Sequence, residues 1–586
     1  MNKIERKELK RKAKFRNAKL FEYGLKLKGT FIFCLILTII FTLFEMVGPF
    51  IISEILDKQL IEGIGAKDTN NFYFLVLMYV LSMLMLTGIK YVMSLSFARL
   101  SNSLATIIQK DVFGHVLKLP IRFFDKYASG KIVSRITNDT SDIRQLFNIL
   151  FSEIFPITVL IIGLMIGLFL KDYRMGLIIV AVSPISYIIY RDYKRKSTIY
   201  NRDMRRYRSD LNGNLAETIQ TIEIVQAFNR EDEIYEEFSK VNDKVNAEGR
   251  KMATLWAYSS FNATNTLANV VLAIIVFAFA ISVLKMNPFI TVGSLFIFID
   301  YSRKIFMNIN SIMNMIGEFE KSKSAADQVF ELLDEKIFVD GETTLDKIEG
   351  NIEFNNVTFA YNDDEHVLKN INLSIKKNQS VAFVGHTGSG KSTIMNLIYG
   401  FYKVNMGEIL IDGVNINDLN MQEIRNNMAI VFQNPYIFEG TVYENISLFD
   451  ENISKNECEL ALILVGGEKI LQRKRGIDTK VGESGAGFSS GEKQLISFAR
   501  AMVRNPKILV LDEATANVDS ETEEYIQFGV KQLKNGRTTL IIAHRLSTIK
   551  DVDNIYVLEK GKIIESGTHE ELITKKGVYE KMYMES

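Results

Sequence analysis

Apolar residues are distributed unevenly along this chain, and their distribution predicts two kinds of domain. Long apolar stretches occupy the first part, up to about residue 330, whereas the remainder alternates short apolar runs with charged and turn residues. A membrane-spanning helix needs roughly 20 mostly apolar residues. Four stretches meet this requirement well: 30–52, 72–93, 149–170, and 267–284 with its upstream extension.

Two weaker segments bring the prediction to six spans. The segment 175–190 is short and contains Pro184, but it follows the preceding span so closely that we expect a tight re-entry. The sixth segment begins at Phe289 and is interrupted by Asp300 and Lys304. A helix surrounded by lipid could not carry these charges, because each costs several kcal/mol in hydrocarbon. We therefore expect their face to line a water-filled cavity or to lie on the cytoplasmic extension of the helix.

The connections between the spans predict the orientation. Those at about 94–148 and 191–253 are long and rich in Lys and Arg, whereas those at 57–71, 171–174 and 285–288 are short and carry few positive charges. By the positive-inside rule, both long connections and both chain ends lie in the cytoplasm.

Charge and cysteine content narrow the class of protein. The net charge is only +1, whereas a nucleic-acid-binding protein usually carries a strong basic excess. The basic run at 3–28 therefore indicates a cytoplasmic membrane anchor in preference to a nucleic-acid-binding arm. It lacks the apolar core and cleavage site of a signal peptide. The two cysteines, Cys34 and Cys458, lie far apart, which predicts free thiols and neither a disulfide framework nor a zinc site.

The pattern changes after a polar stretch at 334–350, which indicates a linker. The segment 351–361 alternates as a strand does, and 380–384 is a short buried strand. Helix-like stretches then alternate with further strands. This alternation predicts an α/β domain at 351–586.

One segment directly after the buried strand carries the sharpest chemical signal. The segment reads Gly385-His386-Thr387-Gly388-Ser389-Gly390-Lys391-Ser392-Thr393. With a strand before it and a helix-like run after it, it matches a phosphate-binding P-loop. Glycines let successive N–H groups converge on phosphate oxygens, and the helix start adds its positive dipole end. We expect Lys391 to bind the β- and γ-phosphates of ATP and Ser392 to ligate Mg²⁺. The alternative, a chance glycine-rich turn, does not explain the flanking strand and helix.

A second apolar strand, 508–511, ends in adjacent carboxylates at Asp512 and Glu513. Ligands of open α/β sheets bind at the carboxyl ends of the strands. Asp512 is expected to hold Mg²⁺, and Glu513 to orient and polarise the attacking water. Such a pair can also simply start a helix, and the P-loop is what favours the nucleotide interpretation. The expected fold class is an all-α, six-helix transmembrane domain (1–333) fused to an α/β P-loop nucleotide-binding domain.

These features resemble the ATP-binding cassette (ABC) transporter family, whose nucleotide-binding domain is similar to 351–586 and whose exporter half-transporters are similar to the whole chain. Tyr361 lies where the family stacks an aromatic ring on adenine, and Gln433 lies where the family senses Mg²⁺. Asp519 matches the loop that crosses the dimer interface. His544 matches the switch that contacts the γ-phosphate, although a lone histidine near an apolar strand is more often structural.

Two segments of the membrane half also resemble the family. Residues 119–135 look like its first intracellular loop, and 227–231 look like the end of the second. The resemblance implies that these loops carry short coupling helices that dock on the cassettes. Without it, they would be only amphipathic cytoplasmic segments.

The signature position departs from the family pattern LSGGQ. It reads Phe488-Ser489-Ser490-Gly491-Glu492. The resemblance implies that the P-loop of one cassette and the signature of another enclose each ATP, so that the chain works with a second half-transporter. Ser490 places a side chain where glycine permits close approach, and Glu492 places an anion near phosphate. This favours a heterodimer with one competent and one degenerate site; a homodimer is the alternative.

Polar residues in the spans are candidates for a substrate cavity. Glu45 could attract a cationic drug or could equally pair with Lys304, and Asp300 and Asn269 lie on the polar faces of the sixth and fifth spans. The predicted function is ATP-driven export of a drug, lipid or peptide across a bacterial inner membrane. An ATP-gated membrane regulator without net flux is the alternative. A soluble cassette ATPase would lack the spans, and importers usually keep their cassette on a separate chain.

Overall fold

The chain divides into two units in the computed structural model, which describes residues 19–20, 22–61, 69–284, 291–362, 365–512, 520–543 and 549–585. One unit contains the chain up to Lys118 together with Tyr127–Lys336. The other contains Leu119–Lys126 together with Ile337–Ser586.

Long helices build the first unit. In chain order, the α-helices of this part of the chain are α1 (Lys28–Glu54), α2 (Thr69–Val116), α3 (Ile121–Lys126, in the second unit), α4 (Ser129–Ser134), α5 (Thr140–Phe147), α6 (Phe155–Lys171), α7 (Tyr173–Gln220), α8 (Ile222–Ala227), α9 (Glu231–Leu255), α10 (Thr264–Leu284) and α11 (Val292–Leu333). Short π-helical segments lengthen or join them at Ile55–Ile61, Arg135–Asp139, Asn148–Ile154 and Trp256–Ala263.

Four helical segments in the described part of the chain are long and apolar enough to cross a membrane. They are Lys28–Lys58, Asn70–Val116, Ser129–Lys171 and Glu231–Ile281. They contain three of the four stretches that met the length requirement in the sequence, and all but the last three residues of the fourth, 267–284, which α10 continues to Leu284. The two weaker segments lie in α7 and α11, although Phe289 itself lies outside the described residues.

The helices continue well beyond the apolar stretches. α2 and α7 are 48 residues long and α11 is 42. Much of what the sequence predicts as long, basic connections is therefore an extension of the spanning helices. The short predicted span that contains Pro184 is one part of α7.

α1, α6 and α11 pack closely around one fully buried tyrosine. The hydroxyl of Tyr301 in α11 donates to the carbonyl of Met46 in α1 at 3.0 Å. At Gly167 in α6, an added Cβ would lie 2.9 Å from the Tyr301 ring. Glycine thus allows this approach, which a side chain would prevent.

The second unit combines three sheets with short helices. Its strands are β1 (Ile352–Phe359), β2 (Leu368–Ile375), β3 (Ser380–Val384), β4 (Met406–Ile411), β5 (Val414–Asn415), β6 (Met428–Val431), β7 (Gly440–Thr441), β8 (Lys480–Val481), β9 (Ile508–Asp512), β10 (Thr538–Ile542), β11 (Asn554–Glu559) and β12 (Lys562–Gly567). Its further α-helices are α12 (Lys391–Ile398), α13 (Met421–Asn426), α14 (Val442–Ser447), α15 (Lys455–Leu464), α16 (Glu468–Leu471), α17 (Ser490–Val503), α18 (Ser520–Lys534), α19 (His569–Thr574) and α20 (Val578–Glu585).

The central sheet has the strand order β12-β11-β3-β10-β9-β6. The strands from β11 to β6 are parallel, and β12 is antiparallel to β11. Because both faces of the parallel strands are covered, they read as continuous apolar runs, and all five residues of β10 are buried. An antiparallel sheet, β2-β1-β4-β5, and the pair β7-β8 complete the unit.

Most of the stretch predicted as a linker belongs to the second unit. The N–H of Gly341 donates to the carbonyl of Leu419 at 3.0 Å. The Asp412 carboxylate accepts the N–H of Gly350 at 3.1 Å. The polar segment 334–350 therefore connects the two units, and most of it is also held on the second unit by hydrogen bonds.

The short helix α3 belongs to the second unit although it lies between α2 and α4 in the sequence. The Tyr402 hydroxyl donates to the Asp125 carboxylate of α3. Phe123 of α3 is buried. A short helix is thus present in the segment where the family resemblance implied a coupling helix.

Candidate active site

The P-loop runs from the end of β3 to the start of α12, as the sequence predicted. Gly385, Gly388 and Gly390 all have positive φ values (153°, 82° and 107°), which L side chains rarely adopt. A Cβ at Gly385 would lie 2.2 Å from the carbonyl oxygen of Leu558, so only glycine fits there. The loop therefore keeps the close, curled backbone that converging N–H groups need.

Two side chains of the loop lie inside this curl. The Lys391 ammonium donates to the carbonyls of Gly385 at 2.6 Å and His386 at 3.2 Å. The Ser389 hydroxyl is buried and has no hydrogen-bond partner within the described part of the chain. A lysine over the loop and an unsatisfied buried hydroxyl fit a phosphate group, which supplies acceptor oxygens to both.

An aromatic cluster stands beside the helix that follows the loop. The Tyr361 hydroxyl donates to Thr393 Oγ1 at 3.2 Å and accepts from Asn396 at 3.3 Å. Its ring lies edge-on to that of Tyr402, with 5.0 Å between the ring centroids. Tyr361 is thus held beside the P-loop helix, and its stacking on adenine stays a prediction.

The strand order brings the predicted magnesium ligands to one edge of the sheet. Asp512 ends β9, and Gln433 follows β6, which pairs with β9 in parallel. β9 is separated from β3 and its P-loop only by β10. Ser392 lies in the first turn of α12. Three oxygen-bearing side chains at this edge suit Mg²⁺, which prefers oxygen ligands.

Three predicted site residues lie outside the described residues. They are Glu513, Asp519 and His544. The strands that lead to two of them are described: Glu513 follows Asp512 directly, and His544 comes two residues after β10. Their roles stay predictions.

The signature position forms the start of α17, where Ser489 and Glu492 form a capping box. The Ser489 hydroxyl accepts the N–H of Glu492 at 3.2 Å, and the Glu492 carboxylate accepts the N–H of Ser489 at 2.9 Å. The N–H groups of Ser490 and Gly491 have no hydrogen-bond partner among the residues described here. Together with the helix dipole, they can accept an anion.

Arg473 neutralises the carboxylate that distinguishes this signature. Its guanidinium donates to Glu492 Oε1 at 2.7 Å and to the carbonyl of Gly487 at 3.1 Å. It also lies over the Phe488 ring, 4.1 Å from the centroid. The Glu492 carboxylate is therefore paired with a cation and takes part in the helix cap, and its effect on a bound phosphate stays a prediction. Arg473 carries no recognisable signal in the sequence, since it lies within the basic run 473–475.

The candidate cavity residues are only partly brought together. In the first unit, Lys304 Nζ lies 2.7 Å from Glu45 Oε1 and 3.1 Å from Asp300 Oδ2. Glu45 could attract a cationic drug or pair with Lys304, and in the structure it is paired with Lys304. Asn269 lies exposed on α10 and is not part of this cluster.

Comparison with known proteins gives matches to both units. Residues 31–309 match the ABC transporter transmembrane region, and residues 368–516 match the ABC transporter family. The probable multidrug resistance ABC transporter ATP-binding/permease protein YheH of Bacillus subtilis (strain 168) is 39% identical, over 91% of this chain and 79% of its own length. The ATP-dependent lipid A-core flippase of Shigella flexneri is 31% identical, over 90% of this chain and 91% of its own. The structure of a bacterial Atm1-family ABC exporter with ATP bound superposes with a TM-score of 0.81 at 26% identity, covering 95% of this chain and 98% of that one.

A helical membrane domain fused to a P-loop nucleotide-binding domain defines an ATPase coupled to transmembrane transport, and the predicted fold class is confirmed. The chain belongs to the ABC transporter family, with the architecture of its exporters. Its cassette binds ATP, and exporters of this family act as dimers in a lipid bilayer.

Proposed function

We propose that this chain exports amphipathic compounds (drugs, lipids or peptides), driven by the hydrolysis of Mg²⁺-ATP. The observation that carries the proposal is the P-loop, with its three positive-φ glycines and buried Lys391, on the same chain as membrane-spanning helices. Two of its relatives, a probable multidrug resistance transporter and a lipid A-core flippase, support the substrate class.

Different groups of the P-loop bind different parts of the triphosphate. Backbone N–H groups from Gly385 to Lys391 and the Lys391 ammonium bind the phosphates. The other residues of the loop that we assign to the ATP-binding site are His386, Thr387, Gly388, Ser389, Gly390 and Thr393. Tyr361 stacks on adenine, and Ser392 with Asp512 holds Mg²⁺.

The remaining site residues act on the γ-phosphate and its ligands. Gln433 completes the magnesium shell and Glu513 polarises the attacking water. His544 contacts the γ-phosphate, and Asp519 contributes to the interface between the two cassettes. Hydrolysis removes the phosphate that joins the cassettes, which biases the dimer between inward- and outward-facing states.

Replacing Glu513 tests the hydrolytic role directly. Glu513→Gln removes the carboxylate that polarises water and leaves the phosphate-binding residues unchanged. We expect steady-state ATP hydrolysis to fall at least a hundredfold while ATP stays trapped on the protein, since general-base catalysis contributes 10²- to 10⁴-fold. If vesicles with the wild-type protein accumulate substrate and vesicles with this variant do not, the result supports active export. ATP hydrolysis without accumulation in the wild type would instead indicate an ATP-gated regulator.

The partner in the dimer is proposed to be a different half-transporter. With Glu492 neutralised by Arg473, this proposal now rests on Ser490, which stands where the family has glycine. Co-expression with a candidate half-transporter is expected to yield a 1:1 complex with much higher ATPase activity than this chain alone. A stable, fully active homodimer of the chain alone contradicts this part of the proposal.

Both chain ends are proposed to lie on the cytoplasmic side of a bacterial inner membrane. The basic connections at about 94–148 and 191–253 support this orientation. A protease-sensitive tag at the C-terminus should be protected in intact spheroplasts and cleaved in inverted vesicles. Cleavage in intact spheroplasts would reverse the orientation.

A further inference from the structure

An apolar groove in the first unit has no role in ATP binding. Its volume is about 630 Å³, within the range of small-molecule sites. It is lined by the short helical stretch before α1, by α1, by α11, and by residues 146–151 of the Ser129–Lys171 segment.

The two lysines of the groove lie at the same end of the spanning helices. On α1, Lys28 stands one turn before Phe31 and Ile32, which also line the groove. On α11, which runs in the opposite direction across the membrane, Lys323 stands one turn after the lining residue Phe319. Both lysines therefore lie at the end of the spans that carries the basic connections, and the lining residues of α1 that follow Lys28 extend from there into the membrane.

Aromatic rings and open aliphatic side chains form the apolar part of the lining. Phe147 and Phe151 are stacked with 5.7 Å between the centroids, and Phe31 meets Phe151 edge-on at 5.2 Å. Leu25 and Ile32, which are 54% and 53% exposed, form the open side of the groove. An open side of this kind leaves room for a lipid to enter the groove.

The positive charge of the lysines is only weakly compensated. Lys323 Nζ lies 3.8 Å from Glu320 Oε2, and Glu320 is shared with Lys194, also at 3.8 Å. Ion pairs of this length at partly exposed positions contribute little. Lys28 pairs with no acidic side chain among the residues that the structure describes.

We propose that this groove binds one anionic phospholipid of the cytoplasmic leaflet. The phosphate lies against Lys28 and Lys323, and an acyl chain follows the phenylalanines into the membrane. Basic pockets between spanning helices on the cytoplasmic side are suited to anionic headgroups, and each lysine near the surface strengthens their binding. The assignment to the cytoplasmic leaflet rests on the proposed orientation of the chain. The preference of the groove for an anionic lipid rests only on its two lysines.

The test measures which lipid the full-length protein retains. The protein, with its partner subunit where one copurifies, is reconstituted into nanodiscs with equal amounts of phosphatidylglycerol and phosphatidylcholine of matched acyl chains. The lipids that stay bound after release into detergent are counted by native mass spectrometry, without nucleotide. We expect one phosphatidylglycerol per chain, retained about tenfold over phosphatidylcholine. Lys28→Ala with Lys323→Ala should bring this ratio close to one.

Two further variants separate the groove from the rest of the surface. Lys110→Ala with Lys118→Ala removes the same charge from exposed positions outside the groove and should keep the tenfold preference. Gly24→Trp should abolish retention of both lipids, because Gly24 lines the groove and an added Cβ meets no atom within 4 Å.

Equal retention of both lipids by the wild type, or no retention at all, overturns the proposal. An unchanged preference in the Lys28/Lys323 double variant, or an equal loss in the Lys110/Lys118 control, overturns it as well. Because the measurement uses neither ATP nor substrate, failure of the proposed export function would not alter its outcome.

Discussion

Glu492 stands where the ABC family has glutamine, and a free carboxylate there would repel the phosphate that the signature helix has to accept. The structure couples this carboxylate to Arg473 at 2.7 Å and uses its second oxygen to cap α17. A hydrogen bond between charged groups contributes about 1.5–3 kcal/mol. At the start of α17, the N–H groups of Ser490 and Gly491 are then available to bind an anion.

A double-mutant cycle tests this coupling. Arg473→Gln leaves the Glu492 charge uncompensated, so the ATP concentration for half-maximal nucleotide trapping by the dimer should rise about tenfold. Glu492→Gln alone should stay close to the wild type, because glutamine also completes a capping box. The double variant should recover most of the lost affinity.

The control for this cycle is Arg475→Gln, which removes the same charge from an exposed neighbour. If Arg473→Gln binds ATP as the wild type does, or if Glu492→Gln fails to rescue it, Arg473 has no positioning role at the signature.

Cys458 offers a second test at a single side chain. Burial and the neighbouring Glu457 carboxylate raise the pKa of its thiol to about 11. Since the thiolate is the reactive form, the folded protein should not react with iodoacetamide at Cys458 at pH 8, and reaction should begin only on unfolding. Peptide mass spectrometry after labelling, with and without denaturant, gives the answer. Rapid labelling of Cys458 in the active protein would contradict its burial.

Among the secondary-structure elements, α3 has a position that its sequence neighbours do not suggest. It lies between α2 and α4 of the membrane unit, yet it groups with the cassette, to which the Asp125–Tyr402 hydrogen bond joins it. Burial and this hydrogen bond also raise the pKa of Tyr402. A chain segment that belongs to the cassette but connects two spanning helices is suited to transmit motion between ATP and substrate sites.

Removing the Tyr402 hydroxyl should weaken this transmission without affecting ATP binding. Tyr402→Phe keeps the ring beside Tyr361 and loses only the bond to Asp125. We expect basal ATPase activity within twofold of the wild type and a loss of at least half of the stimulation by transported compounds, measured in proteoliposomes.

Tyr443→Phe is the matched control, since its hydroxyl bonds to the Ile453 carbonyl within the cassette. Full substrate stimulation in Tyr402→Phe would show that this hydrogen bond is not needed for coupling.

For the protein as a whole, the polar cluster of the membrane unit bears on what is exported. Glu45, Asp300 and Lys304 come from two spanning helices, and together they carry a formal charge of −1. Charged groups inside a membrane protein are costly and tend to mark functional sites. Under the proposed export function, this net charge favours amphipathic cations over anions.

Removing one negative charge should therefore change substrate preference more than overall activity. Glu45→Gln or Asp300→Asn leaves one carboxylate paired with Lys304, so transport of a cationic dye into inverted vesicles should fall about tenfold, or ~1.4 kcal/mol. Transport of a neutral amphiphile should be unaffected. Glu318→Gln, an exposed position further along α11, is the control. Equal losses for cationic and neutral compounds would indicate a structural role for the cluster.

Local sequence determined the spans, the strands and the P-loop, because each depends on the order of apolar residues or on glycines that must adopt positive φ values. The nucleotide chemistry could be predicted from Gly385–Thr393 and Asp512 for the same reason. Contacts between distant segments could not be predicted. The partner of Glu492 is Arg473, which carries no distinctive pattern, and α3 groups with the cassette through Tyr402, 277 positions away from Asp125. Only packing in three dimensions decides which charges meet, so only the tertiary structure showed that the carboxylates of Glu45 and Glu492 are paired.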